Sequence, residues 1–218
     1  MVAEPPKAIP PQRTATSSSV LLQGISWDTY QSLVQELESQ PSKRLTYDNG
    51  LLEIFMPLPP HEKNKKYLAR LVEIITMTLG IEICSLGFCT WNRPDLVKGL
   101  EPDECYYIQN GAIIRGKMNI DLAIDLPPDL AIEIDITSLS LPRLPIYAAL
   151  GIPEVWQFDG EKIVLLALIN GQYQEIPVSI ALPIVTTVIL QDWLTQVKTM
   201  GETTWAMAIQ RWARETID

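Results

Sequence analysis

The chain has 218 residues, 47% of them hydrophobic, and a formal net charge of −9. That apolar share supports a packed core and excludes a disordered chain. The acidic balance argues against a protein that coats nucleic acid by charge alone, but it leaves room for an enzyme whose clustered carboxylates are neutralised by a metal.

The opening stretch, MVAEPPKAIPPQRTATSSS, is rich in Pro, Ser and Thr, so residues 1–20 read as a flexible leader and 21–218 as a single domain. The leader lacks the apolar centre of a secretory signal. No apolar run approaches the roughly 20 residues that cross a bilayer, and a soluble, cytoplasmic protein is expected. A helix is predicted from Trp27 to Glu38, with Tyr30, Leu33, Val34 and Leu37 at helical spacing and Pro41 as its stop. Arg44 to Met56 reads as a hairpin around Asp48-Asn49-Gly50, residues that tolerate the positive φ of a tight turn. A second helix follows from about His61 to Leu79, with Leu68, Leu71, Val72, Ile75 and Leu79 as its apolar stripe and Gly80 as its cap. Its Lys63, Lys65, Lys66 and Arg70 read as a solvated face, or else as a DNA-contact patch on an acidic protein.

One or two strands are expected between Ile81 and Trp91, and others near Asp103–Gln109, Leu130–Ile136, Glu154–Phe158 and Lys162–Leu168. A short helix is predicted between Leu144 and Leu150, ended by Gly151, and two more near Leu190–Thr199 and Thr203–Thr216. Helices alternating with apolar strands define an α/β sandwich, with a central mixed sheet flanked by helices. Cys84, Cys89 and Cys105 have no CxxC spacing and there is one histidine, so buried thiols are the expected reading and a redox or metal role the lesser one. The six tryptophans are expected in the core or at an interface.

The run Leu130-Ala131-Ile132-Glu133-Ile134-Asp135-Ile136 poses the functional question. Strand alternation puts the leucine and the three isoleucines on one face, and Asp129, Ala131, Glu133 and Asp135 on the other. A central strand is covered on both faces, so an acid face needs compensation. A divalent cation with oxygen ligands supplies it; so does a salt bridge to Arg143 or a lysine, and the residues alone leave both open. Glu53, between Leu51 and Phe55 on one strand face, is either half-buried with a partner or an edge residue reaching water. Asp103, in Glu101-Pro102-Asp103-Glu104, has the look of an ordinary turn acid.

From Arg44 to about Asp159 the chain resembles the Uma-type restriction endonuclease family, a branch of the PD-(D/E)XK nuclease superfamily. The matching segments are Asp48-Asn49-Gly50-Leu51-Leu52-Glu53-Ile54-Phe55-Met56-Pro57, His61 at a helix start, Glu101-Pro102-Asp103-Glu104-Cys105-Tyr106-Tyr107, Pro127-Pro128-Asp129-Leu130-Ala131-Ile132-Glu133-Ile134, and Ile146-Tyr147-Ala148-Ala149-Leu150-Gly151-Ile152-Pro153-Glu154-Val155-Trp156. The resemblance implies a restriction endonuclease-like sandwich that hydrolyses DNA phosphodiesters with Mg²⁺ or Mn²⁺. It makes Asp103 and Glu133 the central metal ligands, joins Glu53 to them, and places His61 nearby as a donor or proton shuttle.

One position departs from that pattern. Where the superfamily carries a lysine two residues after the second acid, this chain has Asp135, which could serve as an additional metal ligand. The family's substitute lysine, four residues before the tyrosine, corresponds to Arg143, and Pro145 disfavours helix at Leu144. Arginine stays charged and is a poor base, so the site is either rearranged or impaired. A nuclease fold that has lost catalysis and works as a binding or regulatory module is therefore the alternative. A third reading is a structural domain with its acids in salt bridges. By analogy a homodimer is expected, with Trp205 and Trp212 on the last helix offering a face.

Overall fold

The computed structural model describes residues 17–37, 43–87, 89–136 and 141–216. Most of the leader lies outside them, as do Glu38, Pro41 and Phe88. Strand β1 (Ser17–Gln23) begins inside the stretch read as leader, pairing along its whole length with β3 (Leu51–Pro57). Helix α1 (Trp27–Leu37) precedes β2 (Arg44–Asp48), and β2 and β3 form the expected hairpin. Its turn has Asn49 at φ 47° and Gly50 at φ 90°, the two consecutive positive angles that match strand twist.

Helix α2 (Pro59–Leu79) starts on two prolines, whose fixed φ suits a first turn and whose missing N–H costs nothing there. It ends where Gly80 turns left-handed at φ 67°. Short strands follow: β4 (Cys84–Ser85), β5 (Trp91–Arg93), β6 (Lys98–Leu100) and β7 (Glu104–Tyr107). The one-turn α3 (Gly111–Ile114) leads through a long loop to β8 (Leu130–Ile134). Helix α4 (Leu144–Leu150) then connects β8 to β9 (Glu154–Phe158), and these two strands run parallel, which requires such a crossover. The hairpin β10 (Ile163–Ile169) and β11 (Gln172–Ile176), with α5 (Thr187–Gln196) and α6 (Glu202–Glu215), completes the described chain.

The strands make two sheets. The first is antiparallel, in the order β1-β3-β2-β6-β5; the second is mixed, in the order β11-β10-β9-β8-β7-β4. One face of the mixed sheet, with Leu130, Ile132 and Ile134, packs on α2, α5 and α6. Its other face carries Ala131, Cys105 and Tyr107 and meets α4, together with Trp91 and Leu100 of the first sheet. A third cluster seats Tyr30 of α1 on Leu45, Tyr47 and Leu52. The result is an α/β sandwich with a mixed sheet flanked by helices, as the sequence predicts.

Two expectations change. Trp205 is fully buried, donating its indole N–H to the Trp193 carbonyl at 2.9 Å, and the half-buried Trp212 packs edge-on against Trp193. Trp205 thus belongs to the core, while Trp212 packs against it and stays partly exposed. Cysteines 84, 89 and 105 are free, with only Cys105 buried.

Gly99 is placed where β6 passes beneath α1. A Cβ there would collide with the Tyr30 hydroxyl and the Asn92 amide oxygen, which share a hydrogen bond of 2.7 Å. Gly99→Ala should therefore lower stability by about 1–3 kcal/mol through overpacking, measured by urea denaturation of the full chain.

Candidate active site

Strands β7 and β8 are antiparallel, with Glu104 opposite Ile132. Asp103 directly precedes β7, so continuing that register by one step sets it across from Glu133, on the face turned to α4. Residues facing each other so have Cβ atoms about 4.5–5.5 Å apart, and like charges there repel. Both acids are buried, Asp103 at 1% exposure and Glu133 at 4%. Asp103 Oδ2 accepts from the Ile134 backbone N–H at 2.8 Å, which locks it across the β8 end. Asp103 Oδ1 is buried with no hydrogen-bond partner.

Each carboxylate has its own compensating group. His61, buried in the first turn of α2, brings Nε2 to 3.2 Å from Asp103 Oδ2, an ion-pair contact not aligned as a hydrogen bond. Arg143 donates from Nη1 to Glu133 Oε2 at 2.7 Å and from Nη2 to the Glu101 carbonyl. The Tyr147 hydroxyl donates to Glu133 Oε1. Pro145 sits in the first turn of α4 and Arg143 is its N-cap, so Arg143 stands at the head of the helix rather than within it.

The electrostatics follow. Burial alone would lower the pKa of His61, but the Asp103 and Glu62 carboxylates outweigh it and hold it up at about 9. Burial would raise Asp103, yet contact with His61 and the charge of Arg143 bring it below its ordinary value. Glu133 is pushed up to about 8 by burial, against the pull of Arg143 and with help from Asp103. Two facing carboxyls thus resist carrying two negative charges at once.

Asp135 lies just past β8, half-buried, with Oδ2 accepting from Gln157 Nε2 at 3.3 Å and Oδ1 buried without a partner. Burial raises its pKa. Glu53 reaches across from the first sheet and accepts from the Leu141 backbone N–H at 3.2 Å, supporting the segment that carries Arg143. A cavity of about 590 Å³ opens here, lined by Glu133, Asp135, Tyr147, Gln157 and the strap of residues 141–145.

The structure therefore brings Asp103, Glu133, His61 and Arg143 together, sets Asp135 at the cavity and places Glu53 behind the strap. Among the described residues no three His, Cys, Asp or Glu side chains are grouped as a ready cation cage. Sequence reasoning gave no role to Tyr147, although its spacing of four from Arg143 on one short helix was a usable signal. Gln157 stands beside Glu133 only through the parallel register, which no local pattern discloses. Lys65 is not solvated as expected: it is buried, 3.6 Å from Glu104 and 3.9 Å from Glu62. Arg70 pairs with Glu202 at 2.7 Å, and Lys63 sits over the Tyr67 ring.

Sheet order and flanking helices make this an α/β sandwich with an acid pair at the ends of adjacent strands. Residues 27–198 match the family model Uma2, described as "Putative restriction endonuclease". The chain belongs to that family. In fold it is similar to a crystal structure from Anabaena variabilis ATCC 29413, described as "a putative nuclease belonging to DUF820". The TM-score is 0.52 at 17% identity, over 78% of this chain and 99% of that one. No curated protein matches. No helix among the described residues is long and apolar enough to cross a membrane.

The buried Glu133–Arg143 pair gives a direct stability test. At a pH above 8, where Glu133 is ionised, Arg143→Met alone leaves a buried carboxylate without its counter-ion and should cost up to about 3–5 kcal/mol, falling as pH drops through Glu133's titration. Adding Glu133→Gln removes the stranded charge and should recover most of that loss in the same denaturation experiment.

Proposed function

We propose that this protein is a divalent-metal-dependent endonuclease acting on DNA, with Asp103 and Glu133 at its centre. The observation that carries the reading is the pair of opposed buried carboxylates beside a cavity, with Asp103 Oδ1 left unpartnered. Burying a polar atom without a partner is costly, and oxygen donors of this kind suit Mg²⁺ or Mn²⁺, for which one or two carboxylates suffice. The donor set therefore fits a hard cation. Asp103 and Glu133 would hold it, with Glu53 and the open Oδ1 of Asp135 as further donors; Glu53 also accepts from the Leu141 N–H and so steadies the segment before Arg143. When bound, the cation polarises water and offsets phosphate charge.

The chain's own residues supply the rest. His61 is the positive partner of Asp103 at the head of α2. Tyr147 fixes one oxygen of Glu133. Arg143, always charged, is no general base, but its planar fork suits phosphate oxygens. A homodimer, with one site for each strand of a duplex, is part of this reading.

The second reading, a nuclease fold without catalysis that binds or regulates, draws on two observations. Both oxygens of Glu133 are already engaged, and Asp135 stands where a lysine is expected.

Purified protein should nick supercoiled plasmid with Mg²⁺ or Mn²⁺, stop when the metal is chelated, and resume when it is restored. Asp103→Ala and Glu133→Ala should fall to background while keeping a cooperative melt. Equal activity in wild type and both variants would refute the enzyme reading. Mn²⁺ binding that is lost in Glu133→Gln, without cleavage of any DNA tested, would move the protein to the second reading.

A further inference from the structure

We propose that Arg143 is the resident counter-ion of the metal position: it and a divalent cation compete for Glu133 Oε2, and the guanidinium released from Glu133 turns into the adjoining cavity to take a phosphate oxygen. The inference rests on the metal-dependent reading above and adds to it an exchange between two cations. Neither the family match nor the fold neighbour implies this exchange.

Arg143 Nη1 sits 2.7 Å from Glu133 Oε2, with both side chains buried. A positive group there supplies part of the charge that Asp103 and Glu133 require. A doubly charged ion on the same oxygen would face that guanidinium at close range in a low-dielectric setting, where like charges repel strongly. The two therefore compete for Oε2.

Three details favour movement of Arg143 over a permanent bond. Its Nε is buried with no partner, so the fork is incompletely satisfied where it lies. It is the N-cap of α4 and lines the cavity, so the head group has space beside it. The Tyr147 hydroxyl holds Oε1 independently, which keeps Glu133 in place when Oε2 changes partner.

The test is calorimetric titration of the full chain with MnCl₂, for wild type, Arg143→Met, Arg143→Gln and Glu133→Gln. In parallel, binding of a short DNA duplex is measured with and without Mn²⁺. Arg143→Gln keeps a donor for the Glu101 carbonyl, so it carries the test if Arg143→Met fails to fold. Competition predicts that the Arg143 variants bind Mn²⁺ about tenfold or more tightly, because a like charge beside the metal position is removed; a loss of affinity, as when a group that merely orients a metal ligand is removed, would overturn it. It also predicts that Mn²⁺ strengthens duplex binding by wild type and does so far less for the variants. Unchanged Mn²⁺ affinity in the Arg143 variants, with binding still lost in Glu133→Gln, overturns the exchange and leaves the metal-dependent reading standing. No Mn²⁺ binding by any folded form overturns both.

Discussion

Two carboxylates facing each other across adjacent strands set the terms for this molecule. Asp103 and Glu133 are buried at the edge of a core that is otherwise apolar on that face. Neither can be hydrated as it would be at the surface, and each raises the cost of charging the other. Everything around them answers that difficulty: a histidine on one acid, an arginine and a tyrosine on the other, and a backbone N–H pinning the first. An arrangement this expensive is not needed for folding, since apolar residues of similar size would serve the core at least as well. That is the physical reason for assigning it to function.

The fold delivers each compensating group by a different route. The β8–α4–β9 crossover places Arg143 and Tyr147 over the strand that bears Glu133. Helix α2 packs its apolar stripe on the opposite face of the sheet and brings only its first turn, with His61, to Asp103. The first sheet adds Glu53, which supports residue 141 from behind. Three independent elements therefore converge on one strand pair, so the site is built on rigid secondary structure, with only the strap at its open side.

The departure from the nuclease pattern takes on meaning in this setting. A lysine at position 135 would put a cation at the mouth of the cavity; the aspartate there adds a third, half-buried carboxylate instead. Arg143 repairs the balance from the neighbouring helix. The guanidinium thus lies directly on one of the two central carboxylates, at 2.7 Å from Glu133 Oε2.

Much of the architecture was legible in the chain. Periodicity located α1, α2 and α4, the Asp48-Asn49-Gly50 turn fixed its hairpin, and alternation in residues 130–136 separated the acid face from the apolar one, because these signals depend on neighbours a few residues apart. Strand β1 was missed because its serines hide it among leader-like residues, and β6 because it is short and built around a glycine. The identity of the acids, too, could be read locally, as could the link to a nuclease family. Their partners could not. That Asp103 lies near Glu133, that Arg143 pairs with Glu133, that Gln157 flanks Glu133 and that Lys65 is buried all follow from strand order and register. Those are set by packing between segments distant in sequence, and no local pattern encodes them.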